Sequence, residues 1–260
     1  MHPFFKYHGA GNDFVMIDNR DNSFCTDESY IHLLCNRRLG IGSDGLITIN
    51  NSNEIGIDFQ MQYFNADGKE GSMCGNGGRC AVWFAHQLGM IKQNTTFRGI
   101  DGIHSAQIIS SQGKNAVIAL QMIDVENITP YQQGYFLNTG SPHVVMFVED
   151  VINYDVIFHG NKIRYDNFFT NGTNVNFVQI NKDNSVFVRT FERGVEDETL
   201  SCGTGVTASA LVVAMLKNID NQIALKTRGG DFVVRFSKNK NNFNSIFLQG
   251  PVCEVFEGKI

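Results

Sequence analysis

Several features that would place a protein in a common class are missing from this sequence of 260 residues. No stretch approaches the roughly 18 unbroken apolar residues of a transmembrane helix. Lys and Arg together number 21 against 26 Asp and Glu, so the chain has no general attraction for nucleic acid or anionic membranes. The residues after Met1 lack the charged lead and apolar run of a signal peptide. We therefore expect a cytoplasmic protein with neither a nucleic-acid nor a membrane partner.

Metal-binding spacings are missing as well. The six cysteines include no Cys-x-x-Cys pair, and the seven histidines form no zinc-binding pattern. Cysteines without an export signal indicate reduced thiols rather than a disulfide framework. We predict no metal site, and we interpret Cys25, Cys35, Cys80 and Cys253 as small buried hydrophobic residues.

What the sequence does contain is one pattern written twice. Each half has two glycine turns that run into strands, then an extended strand with a polar end, then a Cys-Gly-x-Gly motif. These segments are 11–17, 42–47, 62–68 and 74–77 in the first half, and 140–146, 172–177, 188–194 and 202–205 in the second. Asn12 precedes Cys74 by 62 positions, and Ser141 precedes Cys202 by 61. Ordered matches at such similar spacings predict an internal duplication.

The pattern around each motif predicts the architecture. A helix follows each Cys-Gly-x-Gly, over 81–88 with a stop at Gly89 and over 206–216, and a run that is apolar on every side indicates a buried helix. Another helix, opened by Thr26, is predicted to run to about Arg37. Alternating or β-branched strands are predicted over 57–65, 116–122, 175–180, 185–191, 223–227 and 232–236. The fold class is α/β (α+β), with two pseudo-symmetric domains, each a curved mixed or antiparallel sheet wrapped around a central helix.

The repeated cysteines, Cys74 and Cys202, stand just before helices. Unpaired backbone N–H groups and the helix dipole favour an anion there, which lowers the pKa of a thiol. The glycines that follow leave N–H groups open to a substrate carboxylate. Two such half-sites suit a reaction in which one thiolate removes an α-proton and one thiol delivers a proton to the opposite face. Neither copy completes a dinucleotide or phosphate-loop fingerprint.

Two further residues, His143 and Glu192, lie at predicted strand ends one motif before a cysteine. Either side chain could take a thiol proton and poise the pair near neutral pH. The residues alone leave two alternatives open: a structural histidine, and a solvated charge pair formed by Glu192 and Arg193.

Six short stretches carry a family resemblance. They are HGAGNDF at 8–14, FNADG at 64–68, CGNGGRC at 74–80, GSPH at 140–143, ERG at 192–194 and ETLSCGTG at 198–205. In this order they resemble the diaminopimelate epimerase family. The resemblance implies interconversion of LL- and meso-2,6-diaminopimelate, on the pathway to lysine and peptidoglycan, without pyridoxal phosphate, metal or any other cofactor.

The resemblance also implies roles for individual residues. Cys74 and Cys202 are then the acid/base pair, assisted by His143 and Glu192. The substrate contacts carried over by position are Asn12, Asn65, Gly75, Asn76, Asn174, Glu192, Arg193, Gly203 and Thr204. Two positions depart from the family pattern: many members have Asn where this chain has Ser141, and Gln where it has Gly45.

The domain boundary is expected near 122–130, where the strand pattern lapses, and the last predicted strand, 252–256, fits either half. The resemblance implies that it rejoins the first domain. The expected domains are then 1–122 with 250–260, carrying Cys74, and 123–249, carrying Cys202. The expected partner is a small-molecule substrate, and a homodimer is the expected assembly.

Two alternative functions stay open. A proline or hydroxyproline racemase also uses two thiols, but its substrate has only one carboxylate, whereas Arg193 suits a second one. A redox-regulated binding module would join Cys74 and Cys202 in a disulfide, and it would not need anion cradles beside them.

Overall fold

The computed structural model describes residues 1–71, 74–240 and 242–260. By their internal contacts these residues form two compact units. One unit comprises Met1–Leu120 with Gly250–Ile260, and the other comprises Gln121–Gln249. In the part of the chain that is described, no helix is both long and apolar enough to cross a bilayer.

The first unit is a closed ring of strands. Its strands are β1 (Pro3–Gly9), β2 (Asn12–Asp18), β3 (Gly45–Asn50), β4 (Phe59–Asn65), β5 (Asn94–Gly99), β6 (Gly102–Gln112), β7 (Asn115–Gln121) and residues 250–259 of the long strand β16, which as a whole is Asn242–Lys259. They pair in chain order, and β16 pairs with both β7 and β1, which closes the ring. The β2–β3 and β4–β5 pairs are parallel, and the other pairs are antiparallel.

The second unit repeats this order of pairings. Its strands are β8 (Thr129–Tyr131), β9 (Gly134–Asn138), β10 (Pro142–Phe147), β11 (Asn174–Ile180), β12 (Val186–Glu192), β13 (Asp197–Thr199), β14 (Gln222–Lys226), β15 (Asp231–Asn239) and residues 242–249 of β16. The β10–β11 and β12–β14 pairs are parallel, as are β2–β3 and β4–β5 in the first unit. The short strand β13 lies beside β12.

One helix in each unit is almost entirely buried against its own sheet. These helices are α2 (Gly75–Gln87) and α4 (Gly203–Lys217), while α1 (Glu28–Cys35) and α3 (Val156–Arg164) cover the outside. Helix α2 packs near β1 to β4 and β6, and α4 packs near β9 to β12, β14 and β15. The predicted fold class, two similar halves with a mixed sheet around a central helix, is confirmed.

The ends of α1 differ from the prediction. The capping residue is Asp27 rather than Thr26, because its carboxylate accepts hydrogen bonds from the backbone N–H groups of Ser29 and Tyr30. The helix ends at Cys35, with Asn36 as its C-cap, and not near Arg37.

Other differences concern segments that lack a strong apolar pattern. The hairpin β5–β6, the strands β1, β8, β9 and β13, and the helix α3 are absent from the prediction. The final strand is longer than 252–256, since β16 pairs first with β15 and then with β7 and β1. Of the four cysteines interpreted as buried, Cys35 and Cys80 are buried and Cys253 is half-buried. The interpretation is wrong for Cys25, which is exposed in the loop before α1.

Candidate active site

The two predicted thiols occupy the same place in the two units. Cys74 caps the N-terminus of α2, and Cys202 caps that of α4. Both have extended backbone angles, with φ −100° and ψ 123° at Cys74 and φ −123° and ψ 114° at Cys202. The helices thus begin at Gly75 and Gly203, earlier than the apolar runs that predicted them. Each thiol stands where helix N–H groups favour an anion.

The second glycine of each Cys-Gly-x-Gly motif allows side chains of the sheet to pack closely against the helix. A Cβ on Gly205 would lie 2.2 Å from Asn176 Oδ1, and a Cβ on Gly77 would lie 3.0 Å from Ile47 Cδ1. Side chains of the sheet therefore reach the helix backbone in the turn after each cysteine. This close approach explains the motif without a phosphate loop.

In the first unit, Cys74 contacts Asn12, which is also bonded to Asn76. Its Sγ donates to Asn12 Oδ1 at 3.5 Å, and Asn76 Nδ2 donates to the same oxygen at 3.4 Å. Asn12 Nδ2 donates to the Asp44 carboxylate at 2.7 Å. Because a carboxylate can only accept, the amide of Asn12 is oriented with its oxygen toward the thiol.

Asp44 belongs to a network of charged side chains. Arg37 bridges Asp44 and Asp13, with an Nη2–oxygen distance of 2.6 Å to each, and Lys6 Nζ lies 2.7 Å from Asp13. Burial alone would raise the pKa of Asp13, but hydrogen bonds from Arg37 and Lys6 outweigh it and hold that pKa well below its usual range. Asp13 is therefore ionised at neutral pH.

Arg79, one turn into α2, is a charged residue in a fully buried position. Its Nη1 donates to Gly75 O at 3.1 Å, and its Nη2 donates to Asn76 Oδ1 at 2.8 Å. Burial lowers its pKa to about 10, and negative charge on Cys80 or Cys74 would raise it. The guanidinium is thus a cation at neutral pH. We did not predict a role for it, although an arginine inside a buried helix is a signal in the sequence.

In the second unit, Cys202 lies in a group of hydroxyls. Its Sγ is 3.4 Å from Thr204 Oγ1, which is 3.2 Å from Ser141 Oγ. Both hydroxyls contact His143 Nε2, at 2.8 Å for Thr204 and 2.9 Å for Ser141. Asn174 Nδ2 donates to Ser141 Oγ at 3.3 Å. Ser141, one of the two departures from the family pattern, is therefore part of this hydrogen-bonded group.

His143 is fully buried and uncharged. It lies at the start of β10 rather than at a strand end, and its Nδ1 is 3.1 Å from Asn176 Nδ2. Burial and the positive charge of Arg193 lower its pKa to about 3. A protonated imidazole is thus scarce near neutral pH in this structure. Asn176 was not among the predicted site residues.

Glu192 and Arg193 close the C-terminal end of β12. Glu192 is half-buried, and its backbone lies opposite Asp197 in the antiparallel pair of β12 and β13. The backbone N–H of Arg193 donates to Asn174 Oδ1 at 2.8 Å, and its Nη1 donates to Asn171 O at 3.2 Å. The backbone of Arg193 thus lies beside the Asn174 amide.

Asn65 and Gly45 face each other across β3 and β4. Asn65 is exposed at the end of β4, and its backbone N–H donates to Lys69 O at 2.9 Å. A Cβ on Gly45 would lie 2.5 Å from Phe64 O and 2.6 Å from Tyr63 Cε2. The tyrosine ring thus fills the space that a longer side chain at position 45 would need.

The structure joins the predicted residues into two hydrogen-bonded groups, one in each unit. The first group contains Asn12, Cys74 and Asn76, and the second contains Ser141, His143, Asn174, Cys202 and Thr204. Among the described residues, no cluster of three or more His, Cys, Asp or Glu is arranged to hold a metal ion.

Comparison with known proteins assigns the chain to a family. The profile of the family described as "Diaminopimelate epimerase" matches residues 4–122 and 135–255. A protein named diaminopimelate epimerase from Flavobacterium psychrophilum is 48% identical over 259 residues, which cover 98% of this chain and 99% of that one.

Solved structures show the same fold at low sequence identity. A phenazine biosynthesis protein of the PhzF family from Bacillus anthracis has a TM-score of 0.78 at 15% identity, covering all of this chain and 98% of that one. A probable proline racemase from Agrobacterium radiobacter has a TM-score of 0.72 at 12% identity, covering all of this chain and 93% of that one. The family profile and the identity to a full-length relative decide the assignment, and the chain belongs to the diaminopimelate epimerase family.

Proposed function

We propose that this protein interconverts LL- and meso-2,6-diaminopimelate without pyridoxal phosphate, metal or other cofactor. One observation carries the proposal: the same thiol arrangement is built twice. In each unit a cysteine caps a buried helix and contacts a polar side chain, Asn12 in the first unit and Thr204 in the second. The near-identical length and the 48% identity to the Flavobacterium psychrophilum protein support the choice of substrate.

The proposed reaction is a proton exchange at the α-carbon. The thiolate of one cysteine removes the α-proton, so that a C–H bond breaks and an S–H bond forms. The electron pair left on carbon is delocalised into the α-carboxylate, which the N–H groups of a helix N-terminus stabilise. The second cysteine then gives its proton to the opposite face and becomes the thiolate. The reverse reaction exchanges the roles of Cys74 and Cys202.

The remaining site residues take assisting and binding roles in this proposal. His143 acts near Cys202 through Thr204, and Glu192 assists proton transfer from the end of β12. The residues proposed to contact the substrate are Asn12, Asn65, Gly75, Asn76, Asn174, Glu192, Arg193, Gly203 and Thr204. Arg193 holds the carboxylate at the end of diaminopimelate that does not react, because a guanidinium binds a carboxylate with two parallel hydrogen bonds.

The proposal also covers organisation. We propose that 1–122 with 250–260 and 123–249 are the two epimerase halves, each carrying one thiol. A cytoplasmic location and a homodimer complete the proposal.

Solvent deuterium exchange tests the function. With purified protein under reducing conditions, we expect the α-hydrogen of diaminopimelate to exchange with D₂O while the LL and meso isomers interconvert. Chelators and carbonyl reagents directed at pyridoxal phosphate should leave the rate unchanged. Exchange with proline alone would indicate the racemase, which is similar to this chain in fold only. No exchange with either amino acid would contradict the epimerase and favour a redox-regulated binding module.

A further inference from the structure

Asn176, on β11, connects the imidazole of His143 to the sheet. Its Nδ2 donates to Val144 O at 2.9 Å and lies 3.1 Å from His143 Nδ1. Its Oδ1 accepts a hydrogen bond from Thr190 Oγ1 at 2.9 Å. The side chains of His143, Asn176 and Thr190 are all buried. They lie on three adjacent strands, because β11 pairs in parallel with β10 and in antiparallel with β12.

These contacts allow only one orientation of the Asn176 amide. A backbone carbonyl can only accept, so the group that faces Val144 O must be the NH₂. Turning the amide over would bring two oxygens to 2.9 Å from each other. The second hydrogen of the NH₂ group then points at His143 Nδ1, which must present a lone pair.

The other ring nitrogen must therefore carry the proton. His143 Nε2 faces two hydroxyls, on Ser141 and Thr204, and either can accept its hydrogen. A Thr204 hydroxyl that accepts from His143 keeps its own hydrogen, which can be directed to Cys202 Sγ at 3.4 Å. The order of donors thus runs from Asn176 through His143 and Thr204 to the sulfur.

The charged and titratable groups around the imidazole do not oppose this order. Cys202 stands at the start of α4, and Arg193 follows β12, where its positive charge disfavours a second proton on the ring. β9 places Leu137 beside His143, and β11 places Asn174 and Asn176 there, all of them uncharged.

We propose that Asn176 is a positioning residue that holds His143 as the neutral Nε2–H tautomer, so that His143 acts in the resting enzyme as a hydrogen-bond donor toward Thr204 and Cys202. The role of this donor in catalysis rests on the proposed epimerase function. The tautomer itself does not, because it follows from buried hydrogen bonds alone. The proposal assigns His143 the stabilisation of a Cys202 thiolate, in place of removing the thiol's proton.

The direct test is the protonation of the two ring nitrogens in the full chain. Protein labelled with ¹⁵N-histidine is studied by long-range ¹H–¹⁵N correlation, and a His143→Gln sample identifies the signals of His143. We expect Nδ1 without a proton, Nε2 with one, and no titration between about pH 5 and 8, where an unperturbed histidine changes charge. An Nδ1–H tautomer, or a titration in this range, would overturn the proposal.

A variant then reverses the order of donors. In Asn176→Asp the group facing Nδ1 becomes an acceptor, so we expect a proton on Nδ1 and a change in the pH profile of kcat/KM. The rate should fall roughly 10- to 100-fold, as for a hydrogen bond to a charged group. Gln179→Glu is the matched control, because it makes the same chemical change on β11 without contact to His143. We expect the control to keep the wild-type tautomer and rate.

The two proposals fail in different ways. If the tautomer is found but diaminopimelate does not exchange its α-hydrogen, the proposed function is wrong and the position of the proton is right. If exchange occurs and His143 carries its proton on Nδ1, only the role of Asn176 is wrong. Should Asn176→Asp fail to fold, the measurement on the unmodified chain still decides the tautomer.

Discussion

The two cysteine sites share one hydrogen bond in the helix turn after the thiol, and they differ in charge. One turn after each thiol, a side chain donates back to the carbonyl of the following glycine: Arg79 Nη1 to Gly75 O in α2, and Thr207 Oγ1 to Gly203 O in α4. The bond is the same, but the donor is a buried guanidinium in the first unit and a neutral hydroxyl in the second.

The neighbouring groups extend this difference. Near Cys74 the polar contacts lead to the ion pair of Asp44 and Arg37, whereas near Cys202 they lead to hydroxyls and an uncharged imidazole. A duplication thus preserves where donors stand without preserving their charge. We therefore expect a fixed cation to stabilise a thiolate at Cys74, and oriented dipoles to do so at Cys202.

The largest expected effect tests whether the two sites are equal partners. Cys74→Ala and Cys202→Ala should each lower epimerisation by ~10²–10⁴-fold or more, because every turnover uses both thiols. Steady-state rates and circular dichroism of both variants check this, with the exposed Cys25→Ala as control. A single variant that kept most of its activity would show that one site is dispensable.

The second prediction concerns the ends of corresponding strands. Arg193 follows β12 where the uncharged Ala66 follows β4, so only the second unit offers a guanidinium there. Arg193→Met should lower kcat/KM by a factor that corresponds to about 2–5 kcal/mol of activation free energy, because a substrate carboxylate would lose its charged partner. Exposed Arg235→Met serves as the control. Normal kinetics with a lower melting temperature would mean that Arg193 supports the fold and not the substrate.

The third prediction removes the charge difference directly. Since a thiolate at Cys74 raises the pKa of Arg79, Arg79 must in return stabilise that thiolate. Arg79→Met should move the pH midpoint for alkylation of Cys74 upward by roughly 1–3 units, and Arg79→Lys should move it less. Thr207→Val should change the midpoint of Cys202 little. Equal midpoints for Cys74 in all three proteins would contradict the proposed cation effect.

The smallest effect concerns acid stability and belongs to the second unit. The pKa of His143 is about 3 when folded, against an ordinary value of 6.5. Below pH 6.5 the unfolded chain therefore binds a proton that the folded chain does not, and the free energy of unfolding should fall by about 1.4 kcal/mol per pH unit. This contribution is complete above that pH.

Urea unfolding between about pH 4 and 7 measures this slope around the ordinary histidine pKa. His143→Gln should flatten it, and the exposed first-unit His32→Gln should not. An unchanged slope in His143→Gln would show that folding does not lower the pKa of this imidazole.

The parts of the fold that the sequence predicted are those with a strong local pattern. The apolar residues of α2 and α4 and the glycine that ends α2 indicate buried helices without any knowledge of the partner. Helix α3 escaped prediction because Gly160 weakens its helical pattern. The glycine is needed there, since a Cβ would lie 2.4 Å from Phe191 Cβ. Packing against a distant strand decides the element, and a local pattern does not contain it.

The site was predictable to the extent that it is repeated. Cys74 and Cys202 stand out because their motif occurs twice, and both were found at helix N-termini. Asn176 lies in no repeated motif, and its role depends on the strand register that sets it beside His143 and Thr190. The acceptor at His143 Nδ1 is likewise set by three strands together, which no short stretch of sequence reveals.

The closed ring of the first unit has a consequence for synthesis. Its first strand, β1, pairs with residues 253–259 of β16, so the ring cannot close until those residues have left the ribosome. The 121–249 segment is by then complete and can fold first. During that interval β1 and β7 present open edges, and pairing between residues so distant in sequence is slow. Pairing with β16 therefore covers the edges of β1 and β7, through which a nascent chain would otherwise aggregate.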